Sequence, residues 1–197
     1  MKWIIRQLIG CVVVISLVVS SGLGVLADDK DLTAYQLVKE GNRHVGEEAR
    51  DKVVQIRSEK SIGNLTPTIW YVVYYDLDAT AKATEVKFGA GQKLAVKRPA
   101  RVFELAGKAH LPMDREKLKI DSDKALDTAI KEPLLKNLKL LASRMTLERW
   151  EEQPTWKVRL WAAKLRNPNK DADIGDIFIS AETGKVLKTD LHIDRVD

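Results

Sequence analysis

The chain has 197 residues, with 33 Lys or Arg against 28 Asp or Glu, a net charge of +5, three histidines and one cysteine. Its basic residues are interleaved with acids, as in Arg57-Ser58-Glu59-Lys60 and Arg115-Glu116-Lys117, which argues against the one-sided cationic stripe that tracks a nucleic-acid backbone. A single cysteine excludes a disulfide framework, so an apolar core has to stabilise the fold.

Residues 1–27 read as a secretory signal. Lys2 and Arg6 precede an uncharged apolar run, Leu8 to Leu26, and Val25-Leu26-Ala27 fits the small-residue rule for cleavage. The alternative is an uncleaved anchor, since Gln7 to Ala27 is 21 residues and long enough to span a bilayer. Ser20-Ser21-Gly22-Leu23-Gly24 just before the cut favours cleavage. Leu8-Ile9-Gly10-Cys11 has the look of a lipoprotein box, but the apolar run follows the cysteine instead of preceding it, which argues against a lipid anchor. Cleavage leaves 170 residues at net charge +3 and without cysteine, enough for one larger domain or two small ones.

After the leader, Asp31 can cap a helix that carries Leu32, Tyr35, Leu37 and Val38 and weakens at Gly41 and Gly46. Lys52 to Ser58 alternates as a strand. Thr68 to Leu77, rich in aromatic and β-branched residues, is a strong strand with apolar residues on both faces. It is either buried on both sides or exposes a patch. Ala83 to Phe88 and Lys93 to Lys97 follow as strands around the Gly89-Ala90-Gly91 turn. Leu111-Pro112-Met113-Asp114 reads as a linker.

The second half repeats this order. Asp121 or Ser122 caps a helix whose buried stripe is Ala125, Leu126 and Ala129. Pro133 ends this helix or begins another, Leu134 to Leu141. Arg144 to Trp150 alternates, Gln153-Pro154 turns, and Thr155 to Ala163 is a strand with Trp156, Val158 and Leu160 on one face and Lys157, Arg159 and Trp161 on the other. A polar loop, Asn167 to Gly175, leads to strands at Ile177–Ala181 and Lys185–His192. Trp70 and Trp156 fall on matching strands, Gly91 and Gly184 in matching last turns. The predicted fold class is α+β, two tandem units of one helix on an antiparallel sheet, over 28–111 and 112–197.

The residues offer no catalytic constellation. His44, His110 and His192 have no ligand spacing. Ser61 and Ser180 lack the G-x-S-x-G context of an activated nucleophile. Gly89-Ala90-Gly91 is followed by a strand, so it lacks the helix N-terminus that holds a phosphate. Asn169, Asp171 and Asp173 have the first spacings of a calcium loop, but Gly175 comes one place late and Ser180 stands where the closing glutamate belongs. A solvated hairpin loop is the simpler reading. Trp161, beside Lys157 and Arg159, is either buried between the halves or part of a partner-binding face.

Ile120-Asp121-Ser122-Asp123-Lys124-Ala125-Leu126, Trp156-Lys157-Val158-Arg159-Leu160 and Ile179-Ser180-Ala181-Glu182-Thr183-Gly184-Lys185-Val186-Leu187 together resemble the PepSY domain. The resemblance covers residues 114–194, and 31–97 resembles a degenerate second copy without the Thr-Gly turn. Ser180 stands where the family usually has Asp. The resemblance implies a cystatin-like helix-on-sheet fold, a secreted or periplasmic setting in a bacterial envelope, and inhibition or regulation of peptidases. It carries no catalytic residues.

The expectation is therefore a non-catalytic exported binding or regulatory module whose partner is a protein or peptide, a peptidase among the candidates. No nucleic acid, cofactor or resident metal is expected, and a membrane only if the leader stays uncleaved. The alternative is a small-ligand or calcium-binding envelope protein. The residues expected to make contact are Trp161, Asn169, Asp171, Asp173 and Asp176, within the 167–176 loop and its flank.

Overall fold

Two short helices each introduce a run of four strands. The computed structural model describes residues 32–98 and 111–197, so the leader at 1–27, Asp31 and His110 lie outside the described residues. Helix α1 (Ala34–Gly41) buries Ala34, Leu37, Val38 and Gly41. Helix α2 (Ser122–Ile130) buries Ser122, Ala125, Leu126 and Ala129. Both stripes run i, i+3, i+4, i+7, one face of a helix. Small residues on that face let α1 lie close to the sheet: a Cβ on Gly41 would stand 2.2 Å from the Tyr74 hydroxyl, which donates to the Val38 carbonyl at 2.8 Å. The N-cap of α1 is Thr33, whose N–H donates to Gln36 Oε1 at 2.9 Å, the return half of a capping box.

The strands are β1 (Val53–Ser58), β2 (Ile69–Tyr75), β3 (Ala83–Gly89), β4 (Gln92–Lys97), β5 (Leu140–Trp150), β6 (Gln153–Ala163), β7 (Asp171–Ser180) and β8 (Val186–Leu191). They form one eight-stranded antiparallel sheet in the order β4-β3-β2-β1-β5-β6-β7-β8. The α+β class is thus dominated by the sheet, with both helices against one face. A single buried cluster joins both helices to residues of both meanders, among them Ile56, Val72, Tyr74 and Phe88 with Trp156, Val158, Ile177 and Ile179.

Three local expectations change. Residues 134–141 do not form a second helix: only Pro133–Leu135 makes a 3₁₀ turn, and β5 begins at Leu140, paired with Ala162. A segment this short is marginal as a helix and yields to the ladder. The reversal between β5 and β6 is Glu151-Glu152, with φ +48° and +66°, while Gln153-Pro154 already lies in β6, where a strand's first positions tolerate proline. The polar loop closes at Lys170, because Asp171 to Gly175 belong to β7. Ala172 and Ile174 are buried between the acids, a polar–apolar alternation. Gly175 (φ +108°) then forms a bulge opposite Leu160 and Trp161 that resets the phase before Ile177.

The seam between the meanders is β1 against β5. Its regular ladder covers Ile56↔Leu147 and Arg57↔Thr146. Serine hydroxyls extend it: Ser58 Oγ accepts from Met145 N at 2.9 Å, Ser61 Oγ accepts from Ser143 N at 2.9 Å, and Ser61 N donates to the Ser143 carbonyl at 2.8 Å. The expected linker is stitched in as well. Met113 is buried and its N–H donates to the Val53 carbonyl at 2.7 Å. The helices meet at their N-termini. Asp121 Oδ1 accepts from Ser122 N at 2.7 Å and from Tyr35 N at 3.0 Å, and Ser122 Oγ accepts from Ala34 N at 3.0 Å. One aspartate therefore serves both positive helix ends.

Candidate functional site

Alternation along each strand sends the residues out of phase with the core to the face opposite the helices. In most antiparallel sheets covered on one side, that second face is polar and solvated. Here it also carries aromatic rings, each beneath cations. Arg57 and Lys87 lie 4.1 and 5.0 Å from the Tyr71 centroid. Lys60 and Arg144 lie 4.7 and 5.5 Å from that of Trp161. Lys157 and Lys188 are each 5.7 Å from that of Phe178, which also packs on Trp150 at 5.0 Å. Such contacts contribute roughly 0.5–1 kcal/mol apiece at exposed sites. Near Tyr71 a small apolar cluster, Val54, Val73 and Ala83 with Tyr75 against it, makes β2 buried on both faces.

The expected contact residues are placed as follows. Asn169 is exposed in the connection between β6 and β7. Asp171, at the start of β7, is ion-paired with Lys60. Asp173 accepts from Gly175 N at 3.0 Å, shaping the bulge, and lies 3.6 Å from Arg159. Asp176 is buried, accepts two 2.8 Å hydrogen bonds from Arg159 and lies 3.4 Å from Lys157. Burial alone would push its carboxyl up, but the hydrogen bond from Arg159 and the charges of Lys157 and Arg159 outweigh it and hold the group below its ordinary value. Arg159 is raised in turn, chiefly by its hydrogen bond to Asp176. Trp161 is buried under Lys60 and Arg144, so it forms the floor of the face. The structure brings Asp171, Asp173, Asp176 and Trp161 onto this face and leaves Asn169 off it. Three of the oxygens nominated for calcium thus neutralise Lys60, Lys157 and Arg159. Among the described residues no three His, Asp or Glu side chains converge as metal ligands.

At the centre of the face, where β1 meets β5, lies a depression of about 220 Å³ lined by Gln55, Arg57, Arg144, Thr146, Glu148, Lys157 and Arg159. Arg57 pairs with Glu85 at 2.5 Å, and Gln55 Nε2 donates to Glu148 at 3.1 Å. Arg144 is exposed; its neighbour is the Trp161 ring, and no carboxylate among the described residues pairs with it. Sequence reasoning placed Lys157, Arg159 and Trp161 on one face but missed Arg57, Arg144 and Glu148. Their own alternation was visible; which strands would be neighbours was not.

The hydroxyls considered as nucleophiles have structural partners. Ser61 completes the β1–β5 seam. Ser180 Oγ accepts from Glu182 N at 3.3 Å and Thr183 N at 3.2 Å, folding the last turn. His44 lies 3.8 Å from Glu40 on the same helical turn, and His192 lies 3.5 Å from Asp190. Among the described residues no helix is long and apolar enough to cross a membrane. Comparison with family models, with curated proteins and with solved structures finds no match to this chain.

Proposed function

We propose that the chain is an exported, non-catalytic binding module, built of two PepSY-like units over 28–111 and 112–197, that recognises a protein or peptide with the open face of its sheet. Support for the tandem reading comes from matching parts. Each half runs helix, then four meandering strands. Trp70 and Trp156 lie in the second strand of each. Gly91 and Gly184 sit in the last turns with positive φ, and each lies against the apolar residue just before a helix N-cap, Leu32 in one case and Ile120 in the other. Ser180, which stands where the family usually has Asp, accepts from Glu182 N and Thr183 N in the last turn.

The observation that carries the binding reading is the open face itself, with Tyr71, Trp161 and Phe178 each held under cations on rigid strands. Aromatic and arginine side chains are enriched at protein interfaces, and a preformed platform loses little entropy on binding. Export rests on the pattern of residues 1–27, and a peptidase partner on the family resemblance. The calcium alternative draws no support from acids that are already paired.

A photocrosslinking residue at Thr146, at the centre of the face, should yield a defined adduct in an envelope preparation. The same residue at Asp127, exposed on α2, should yield none. Adducts from Asp127 alone, or from neither position, would refute the open-face reading.

A further inference from the structure

We infer that the depression at the β1–β5 seam is a receptor for acidic side chains of a bound peptide; this rests on the open-face reading above and adds the chemistry of what enters. Its lining contains four cations, Arg57, Arg144, Lys157 and Arg159, against one carboxylate, Glu148. The carboxylates that balance three of these cations are Glu85, Asp173 and Asp176, none of which lines the depression. They hold and neutralise these three cationic groups from outside the depression, so that Arg144 is the lining cation left without a counter-ion among them. Arg144 is different: it leans on the Trp161 ring and has no carboxylate partner among the described residues. A guanidinium whose neighbour is an indole ring 5.5 Å away keeps its fork of N–H donors for a carboxylate, the geometry of a bidentate charge-assisted pair.

Size selects among anions. The depression, at about 220 Å³, lies below the roughly 300–1,000 Å³ of pockets that enclose a small molecule. Carboxylate side chains projecting from an extended segment fit such a shallow basin, with the rest of the segment lying across the half-buried Tyr71 and Phe178. Gln55 and Thr146 line the same basin and add neutral donors. Glu148, tied to Gln55, is the one group there that repels such an occupant.

The test uses the protein without its leader and three fluorescein-labelled decapeptides in anisotropy titrations: one alternating Glu and Gly, one Lys and Gly, one Ser and Gly. The Glu peptide should bind saturably, and more weakly as salt is raised. The Lys and Ser peptides should not. Arg144→Gln should weaken the Glu peptide about tenfold, the scale of one charge-assisted hydrogen bond. Glu148→Gln keeps the Gln55 contact and should tighten binding severalfold. Lys124→Gln, exposed on α2 on the other side of the sheet, should change it less than about twofold, because a distant solvated charge is screened. Circular dichroism establishes that each variant is folded. Equal binding of the three peptides, no binding of the Glu peptide, or an unchanged affinity in Arg144→Gln would overturn the inference. So would complete displacement by millimolar inorganic phosphate, which would make the basin a simple anion site. If the Glu peptide fails while the Thr146 crosslink still captures a partner, the acidic preference falls and the open-face reading stands.

Discussion

At Asp176 two cations converge on one carboxylate that water barely reaches. Its side chain is 10% exposed, against 35% for Arg159, so removing the acid strands partly desolvated positive charge. Asp176→Ala should cost about 2 kcal/mol, the scale of hydrogen bonds to charged groups, in a urea titration near neutral pH. The sign of its pH dependence follows from the lowered pKa. A carboxyl with a folded value below its unfolded value contributes fully above the unfolded value, about 3.9, and its contribution is lost as the pH falls through the folded one. The stability gap between the native chain and Asp176→Asn should therefore narrow as the pH drops below about 4. A gap that widens on acidification would show that the pair does not stabilise the fold. Gly184 is the other residue whose role is local. With φ +74° and a would-be Cβ 3.3 Å from Ile120, Gly184→Val should cost at least about 1–2 kcal/mol, read as a lowered Tm. An unchanged Tm with lost binding would instead make this turn a contact site.

At the level of elements, the strands are joined by turns and seams of unequal quality. The β5–β6 hairpin turns on two glutamates in the left-handed region, where a side chain costs roughly 1–2 kcal/mol per residue. Glu151→Gly should raise stability by about 1 kcal/mol; a lowered Tm would mean that the Glu151 side chain contributes something that its backbone geometry hides. The β1–β5 seam is the converse case, a ladder extended by hydroxyls. Ser61→Ala removes the acceptor of a buried N–H on Ser143 and should cost about 1–3 kcal/mol. Ser61→Thr keeps the hydroxyl and should recover most of that in the same thermal melt. Neither serine was legible as a seam residue, because the partners stand 82 and 87 positions apart and no local pattern marks them. The strand within the polar run does have a local signal: Ala172 and Ile174, both buried, alternate with Asp171 and Asp173.

For the whole molecule, one core and one sheet tie the halves together, and Asp121 couples the two helix ends. Asp121→Ala unpairs Ser122 N and Tyr35 N and should cost about 2 kcal/mol, near the upper end for a helix cap. Because both halves contribute to one buried cluster, the loss should reach both. Native-state hydrogen exchange should show amides of β2 and β6 with the same opening free energy, lowered together in Asp121→Ala. Protection lost in one half alone would mean that the two units fold independently.

The sequence by itself determined the buried stripe of α2, half of that of α1 (Leu37 and Val38), the core-facing Trp156, Val158 and Leu160 of β6, the glycine turn at Gly184 and the placing of Lys157 and Arg159 with Trp161 on one face. Those features follow from periods of 3.6 and 2 and from turn chemistry, which act over a few residues. Only the tertiary structure decided that β1 lies beside β5. That adjacency joins two meanders into one sheet, brings Arg57 to the basin beside Arg144, and lets Ser122 and Asp121 serve a helix 86–88 positions away. It depends on long-range burial that either half would satisfy differently alone, and the local pattern carries no record of which edge meets which.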